Sequence, residues 1–264
     1  MRNKIIYFLL LLGGLLLTAA CTQQREAYSA DFVQVTDRPQ LATGPMPDLA
    51  MATTRIISRT NAFRQEQDRQ PVTTNPILMA TAQDFAAYMA RTDRYGHTAD
   101  GNQPAERAKQ HGYDYCIIAE NIAYQYNSTG FTTDELGNGF FEGWQQSPHH
   151  RENMLEPAVT ETGVAIAHSE KSDYYYAVQL FGRPRSLVNE FSISNASDVT
   201  IHYAIQEETF SLPSRYTRTH QRCQPATVRL RWPTEQASVT IQPADGAHYT
   251  ITQDQAGEFQ VESE

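Results

Sequence analysis

Residues 117–124 read Ile117-Ile118-Ala119-Glu120-Asn121-Ile122-Ala123-Tyr124 and place one carboxylate inside an apolar run. A short run of this kind, rich in isoleucine, predicts a β-strand. A carboxylate is costly to bury in such a strand unless it is paired or hydrogen-bonded. We therefore expect Glu120 to have partners from elsewhere in the chain, which makes it a candidate functional residue.

Amphipathic helices are predicted on both sides of this strand. Residues 49–63 and 78–89 carry apolar and small side chains at intervals of three and four, which is the helical period. Asn75 and Pro76 fit a helix start, with a capping residue followed by proline at the first helical position. The last helix has to end before Pro148. The predicted helices are residues 49–68, 76–92, 104–111 and 133–146.

Strands dominate the rest of the chain. In residues 174–181 the side chains of Tyr174, Tyr176, Val178 and Leu180 alternate onto one face. Helices followed by strands predict an α+β fold over residues 49–184, with helices packed on a mostly antiparallel sheet. Further strands are predicted at residues 163–167, 190–194, 199–206, 227–231, 239–241 and 248–252. Since no amphipathic helix follows the boundary near residue 185, residues 185–264 are predicted to form a small all-β domain.

The first residues have the pattern of an export signal. Arg2 and Lys4 precede an apolar run over residues 5–17, which is shorter than the roughly 20 residues that a spanning helix needs. Thr18-Ala19-Ala20 and then Cys21 resemble a bacterial lipobox, although Thr18 stands where leucine is usual. This pattern predicts a lipoprotein signal peptide at residues 1–20 and lipidation of Cys21. The alternative is ordinary cleavage near Ala20, which would leave Cys21 as a plain thiol.

Localisation and partners follow from this pattern. Residues 21–48 contain three prolines and many polar residues, so we expect a tether that attaches the protein to the membrane through its N-terminal lipid. The predicted location is the cell envelope. Because Thr22 rather than aspartate follows Cys21, a Gram-negative cell would place the protein on the outer membrane, facing the periplasm. Loss of Arg2 and Lys4 changes the formal charge from −9 to −11, which argues against nucleic-acid binding.

Several motifs, taken in order, resemble those of a known family. They cover about residues 55–182 and are similar to the CAP superfamily, whose SCP domain occurs in cysteine-rich secretory, antigen and pathogenesis-related proteins. The chain resembles its bacterial lipoprotein type. The motifs are Tyr95-Gly96-His97, Arg107 with Gly112-Tyr113, residues 119–123, Gly143-Trp144, residues 147–155, residues 161–167 and residues 176–182. The resemblance implies a three-layer α-β-α sandwich.

The resemblance also implies a cleft lined by two histidines and two acidic residues. Position by position, these are His97, Glu120 and His150, while the second acidic position is Ser147 in this chain. Glu142 lies nearby in sequence and is expected to point elsewhere. The predicted cleft therefore has a His-Glu-His set with a hydroxyl in the fourth place.

Three kinds of chemistry remain open for this set. His97 and His150 suit a divalent metal such as zinc, with Glu120 completing or orienting the site. Alternatively, Glu120 accepts hydrogen bonds from both imidazoles and rigidifies the cleft. A catalytic triad of Ser147, His150 and Glu120 is disfavoured because a proline separates the serine from the histidine. Asn153 is a further cleft-lining residue, expected to fix the backbone of its loop.

These alternatives lead to three hypotheses about function. The favoured one is a binding or interaction module, whose partner is a small ligand, a lipid or an envelope component. The second is a metal-assisted hydrolase, either protease-like or cleaving an envelope polymer, that uses the same cleft. The third is a structural envelope protein with a vestigial cleft. The pattern favours a non-enzymatic role because no convincing nucleophile is present.

Two cysteines are left once Cys21 is assigned to lipidation. In an oxidising envelope, Cys116 and Cys223 either pair or stay as two buried thiols. A bridge would join the two predicted domains and, in the chain-entropy model, stabilise the fold by about 4 kcal/mol.

Overall fold

The computed structural model describes residues 32–35, 44, 46–234 and 236–263. The predicted signal peptide, Cys21 and most of the predicted tether lie outside these residues. The helices are α1 Leu49–Glu66, α2 Pro76–Thr92, α3 Pro104–Gln110, α4 Thr133–Gln146 and α5 Pro148–Leu155. The strands are β1 Val33–Gln34, β2 Thr73–Thr74, β3 Arg94–Tyr95, β4 Tyr115–Gln125, β5 Glu161–His168, β6 Tyr175–Pro184, β7 Asn189–Asn195, β8 Ile201–Ile205, β9 Glu208–Leu212, β10 Thr217–Arg222, β11 Val228–Arg231, β12 Val239–Ile241, β13 His248–Gln253 and β14 Phe259–Ser263. In the part of the chain that is described, no helix is long and apolar enough to span a bilayer.

The first domain is a three-layer α-β-α sandwich, as the resemblance implied. Its central sheet has the order β2-β5-β6-β4, in which β6 pairs antiparallel with both β4 and β5, and β2 pairs parallel with β5. One buried cluster joins α1, α4 and α5 to one face of the sheet. A second cluster joins α2 and α3 to the other face.

Strand β6 shows why the sheet is covered on both faces. Val178 and Leu180 belong to the cluster under α2, together with Tyr176, whereas Ala177 and Phe181 belong to the cluster under α1 and α4. The alternation predicted for residues 174–181 is therefore confirmed. Because both faces of the strand carry apolar side chains, each has to pack against a helical layer.

Local signals set the helix ends. The Asn75 side chain accepts hydrogen bonds from the backbone N–H groups of Ile77 at 2.9 Å and Leu78 at 3.3 Å, so α2 begins as predicted. Helix α4 also ends as predicted. The sequence interpretation missed α5, because it treated Pro148 only as a helix terminator. Ser147 instead serves as the C-cap of α4 and the N-cap of α5, and Pro148 takes the first helical position of α5.

The C-terminal region is all-β, as predicted. Two four-stranded sheets, ordered β10-β7-β13-β14 and β12-β11-β8-β9, enclose a core of their own. Strands β9, β10 and β14 were not predicted, because they lie at or near sheet edges and carry few apolar side chains. Cys116 and Cys223 form a disulfide with a Cα–Cα distance of 5.5 Å, so the bridged alternative is the one that the structure contains.

Part of the predicted tether contacts the first domain. Strand β1 pairs with β3, and the backbone N–H of Val35 donates to the carbonyl of Asp93 at 3.0 Å. Asp48 caps α1 by accepting a hydrogen bond from the backbone N–H of Met51 at 2.9 Å. The pairing with β3 places residues 33–35 beside the segment that leads to His97.

Candidate ligand-binding cleft

The residues predicted to line the cleft lie on or beside β4, which is an edge strand of the central sheet. Alternation along β4 directs Glu120 toward the layer of α2 and α3, and Asn121 toward the layer of α5. At the exposed edge, the carbonyl of Ile122 accepts hydrogen bonds from the Tyr95 hydroxyl and the Trp144 indole N–H, each at 3.1 Å. Tyr95 and Trp144 belong to the clusters on opposite faces of the sheet, so side chains from both layers bond to the edge of β4.

Glu120 is the buried centre of one wall. Only 1% of its side chain is exposed, and both carboxylate oxygens have charged or polar partners. Oε1 lies 2.8 Å from His97 Nδ1, and Oε2 lies 2.7 Å from Arg107 Nη2. The expectation that this carboxylate has partners agrees with the geometry, but one partner is an arginine rather than a second imidazole.

Arg107, on α3, is the functional residue that the sequence interpretation left without a role. Its guanidinium also donates to Asp100 Oδ1 and to the carbonyl of Asn102, each at 2.8 Å, and lies 3.5 Å from the centroid of the Phe85 ring. The sequence did indicate that Glu120 needs such a partner, since a carboxylate in an apolar strand needs a cation or several hydrogen-bond donors. Arg107 was part of a motif in the sequence, but nothing in that motif indicated that its guanidinium pairs with Glu120.

His97 carries the part of this network that reaches solvent. Its side chain is 49% exposed, whereas its carboxylate partner is fully buried. An ionised carboxylate only accepts hydrogen bonds, so Nδ1 of His97 carries the proton. In the neutral ring the lone pair is then on Nε2. The buried Glu120 therefore fixes the tautomer and the orientation of an exposed acceptor nitrogen.

His150 lies on α5, in the opposite wall. It is half-buried, and its pKa is lowered, first by burial and then by the neighbouring charges of His97 and His149. A lowered pKa keeps the imidazole neutral at pH 7. The two histidines are attached to β4 separately, His97 through the Glu120 side chain and His150 through its backbone carbonyl.

Amide side chains attach α5 to β4. Asn121 Nδ2 donates to the carbonyl of His150 at 3.1 Å, and Asn153 Nδ2 donates to the carbonyl of Glu120 at 3.2 Å and to Asn121 Oδ1 at 2.9 Å. Asn153 thus acts on the backbone and on a neighbouring amide. These bonds set the position of His150 relative to β4.

The two remaining candidates have other surroundings. Ser147 is at the junction of α4 and α5, and within the described residues no hydrogen bond joins its hydroxyl to His150. The geometry therefore provides no activated serine. Glu142 pairs with Arg59 of α1, at 2.8 Å between Oε1 and Nη1.

An aromatic group adjoins the histidine wall. The rings of Tyr95 and Tyr124 are 4.8 Å apart and nearly perpendicular, and Tyr124 is 40% exposed. Burial, with smaller contributions from Tyr124 and Glu120, raises the pKa of Tyr95 to about 12. Tyr95 is therefore a neutral hydrogen-bond donor at any physiological pH.

Comparison with known proteins identifies this domain. Residues 57–181 match the family model named CAP, the cysteine-rich secretory protein family. This part of the chain is a CAP domain. A curated relative, the uncharacterized protein YkwD of Bacillus subtilis (strain 168), is 28% identical over 116 residues, which are 44% of this chain and 42% of that protein. The matched region thus spans less than half of the relative's length.

Two solved structures are also similar to the chain. An outer surface protein from Borrelia burgdorferi is 18% identical, with a TM-score of 0.46, over 54% of this chain and 99% of that one. An extracellular protein containing a SCP domain from Bacillus anthracis str. Ames is 20% identical, with a TM-score of 0.44, over 53% of this chain and 45% of that one. At these scores, neither structure bears on what this CAP domain binds.

The donor set of the CAP domain does not fit a three-ligand metal site. Glu120 contacts His97 through Oε1 and Arg107 through Oε2, which is the geometry of a carboxylate that orients an imidazole. Over the ranges that the structure describes, no group of three histidine, cysteine, aspartate or glutamate side chains is arranged to hold an ion. A metal held by His97 and His150 therefore stays a prediction.

Proposed function

We propose that this protein is a membrane-tethered CAP-domain protein of the cell envelope and that its cleft binds a ligand between His97 and His150. The observation that carries the proposal is the complete pairing of Glu120. Because His97 and Arg107 occupy both carboxylate oxygens, the acid serves to position the imidazole and is not available as a base toward a substrate. The groups that face a ligand are then the two histidines.

The chemistry of these groups limits the class of ligand that the proposed cleft can bind. His97 Nε2 and the neutral His150 ring present acceptor nitrogens, and Tyr124 adds exposed aromatic surface. Below this surface, the Arg107 guanidinium is paired with the carboxylates of both Glu120 and Asp100. The acceptor nitrogens of the cleft favour a ligand that donates hydrogen bonds, such as a hydroxylated small molecule or a segment of an envelope polymer.

A binding experiment with two probes tests the cleft. Purified cell-wall polymer and phospholipid vesicles are each co-sedimented with the full chain and with the His97→Ala/His150→Ala double variant. His111→Ala is the matched control, because His111 lies outside the cleft, 3.4 Å from Asp84. We expect sedimentation with one probe, lost in the double variant and kept in the control.

Two results would contradict this proposal. Equal sedimentation of all three proteins would place the binding surface elsewhere. Turnover of the polymer that disappears in the double variant would show that the cleft is catalytic, as the hydrolase hypothesis holds.

The tether is tested separately. Supporting it are the export-signal pattern and the position of Cys21 directly after it. Cells expressing the chain are labelled with a radioactive fatty acid and fractionated. We expect label in the membrane-bound protein and none in a Cys21→Ser variant, and an unlabelled protein in the soluble fraction would refute lipid anchoring without affecting the cleft proposal.

A further inference from the structure

The disulfide joins two parts of the chain that are otherwise separate. Cys116 belongs to the CAP domain and Cys223 to the C-terminal domain, at a sequence separation of 107. The pairing of β4 with β6 shifts between Tyr115 and Ile117, so Cys116 is the extra residue of a β-bulge. A bulge residue is outside the regular ladder and its strand bends there, which lets Cys116 bond to a group beyond the sheet.

One loop of the C-terminal domain makes this contact. Cys223 and Gln224 follow β10, and the Gln224 amide donates to Glu156 Oε1 at 3.3 Å. Glu156 is the C-cap of α5, and Cys116 lies on β4. The loop therefore contacts the two elements that carry the cleft residues His150 and Glu120.

The two domains do not share a core. The buried clusters of the CAP domain and the cluster of the C-terminal domain contain no residue in common, and no buried apolar cluster among the described residues spans both. The chain itself connects them through a single 3₁₀ turn, Arg185–Leu187. The disulfide is thus a second attachment point between two domains that each have their own apolar core.

We propose that the Cys116–Cys223 disulfide is a reducible clamp that holds the C-terminal domain against the cleft-bearing elements β4 and α5. Both cysteines are half-buried, so a dithiol reductant can reach the bond. Two electrons pass to the disulfide, each sulfur takes one proton, and the dithiol becomes a disulfide. The C-terminal domain is then held by the 3₁₀ turn and the exposed Gln224–Glu156 hydrogen bond, and it is free to reorient once that bond breaks, while both cores stay intact.

Limited proteolysis of the full chain tests the clamp. A Cys21→Ser background leaves Cys116 and Cys223 as the only cysteines, because the sequence has three. Trypsin can cleave after Arg185, whose side chain is exposed but whose Nε and backbone N–H are both bonded to Asp114. We expect reduction to speed cleavage at this bond at least fivefold and to increase the maximum dimension measured by small-angle X-ray scattering.

Two further variants act as controls. Cys116→Ser/Cys223→Ser is expected to behave like the reduced protein without any reductant. Gln224→Ala keeps the disulfide and is expected to behave like the oxidised protein. On a non-reducing gel, oxidised protein that has been cut after Arg185 should still migrate as one covalently joined species.

Three outcomes would overturn the proposal. Unchanged cleavage and dimensions after reduction, with two thiols titrated, would show that packing rather than the disulfide holds the domains together. Loss of cooperative thermal unfolding on reduction would make the bond a requirement for folding instead of a clamp. Two free thiols in the denatured, non-reduced protein would show that the bond does not form.

Discussion

The C-terminal domain contains a buried histidine that should make its stability depend on pH. His220 lies in the core, and its Nε2 is 2.7 Å from the Tyr203 hydroxyl. Its pKa is lowered to about 4, first by burial and then by the positive charges of Arg222 and Arg218. The native domain therefore holds His220 neutral, with the tyrosine donating to Nε2.

The sign and size of the effect follow from this difference. The unfolded chain takes up a proton near pH 6.5, the ordinary value for histidine, whereas the native domain does so near pH 4. Between these values the unfolded state binds more protons, so stability falls as the pH falls. The full loss is about 3 kcal/mol, with about half of it present near pH 5. Above pH 7 the free energy of unfolding no longer depends on His220.

The assay compares wild type with His220→Gln, which cannot titrate but keeps an oxygen to accept from Tyr203. The chain has two tryptophans, of which Trp232 is in the C-terminal core, so a Trp144→Phe background makes fluorescence report this domain. Urea unfolding is measured at pH 7.0, 5.5 and 4.0. We expect wild type to lose about 3 kcal/mol more than His220→Gln over this range. Equal pH dependence in the two proteins would refute the reasoning, since carboxylates that titrate in both cancel in the comparison.

Substitutions at three buried positions, with Glu142→Gln as a surface control, test the packing of the CAP domain by urea unfolding followed through tryptophan fluorescence. Glu120→Gln removes the negative charge that pairs with the buried Arg107 guanidinium, so the free energy of unfolding should fall by about 3 kcal/mol. Glu142→Gln removes a charge from a surface pair and should lower it by less than about 1 kcal/mol. Arg64→Met removes a fully buried side chain that donates to three backbone carbonyls within 3.1 Å and should cost about 3 kcal/mol or more; a loss below about 1 kcal/mol would contradict this. Gly163→Ala would press a methyl group into the backbone carbonyl of Leu78, well inside van der Waals contact. We therefore expect the free energy of unfolding to fall by about 1–3 kcal/mol. An unchanged unfolding midpoint would show that α2 moves away without cost.

The elements that the sequence predicts well are those whose signals are local. Helices α1, α2 and α4 and strand β6 each have a clear period, and Asn75 supplies a cap whose hydrogen bonds involve only its own helix. Helix α5 was not predicted, because a proline can either end a helix or occupy the first position of a new one, and Pro148 does the latter in α5. Edge strands such as β9 and β14 are harder to predict, because pairing rather than burial defines them.

The candidate cleft residues were chosen through a resemblance to a family, whereas the partners of those residues could not be predicted. His97, Glu120 and His150 are far apart in sequence, and only the fold brings their segments to the edge of β4. The need of Glu120 for partners follows from burial, whereas the identity of Arg107 depends on where α3 packs. The sequence also left open whether Cys116 and Cys223 pair, because only the fold shows that these two distant cysteines lie side by side.

The choice of partner for Glu120 has a consequence for what the cleft can do. Had the carboxylate accepted from both imidazoles, one nitrogen of each ring would be bound to it. Because Arg107 takes the second oxygen, only His97 Nδ1 is bound in this way, while Nε2 of that ring is not bonded to Glu120. His150 is positioned separately, through the backbone of α5. The buried ion pair thus orients His97 without involving the His150 ring, and the proposed binding site depends on that preorganisation.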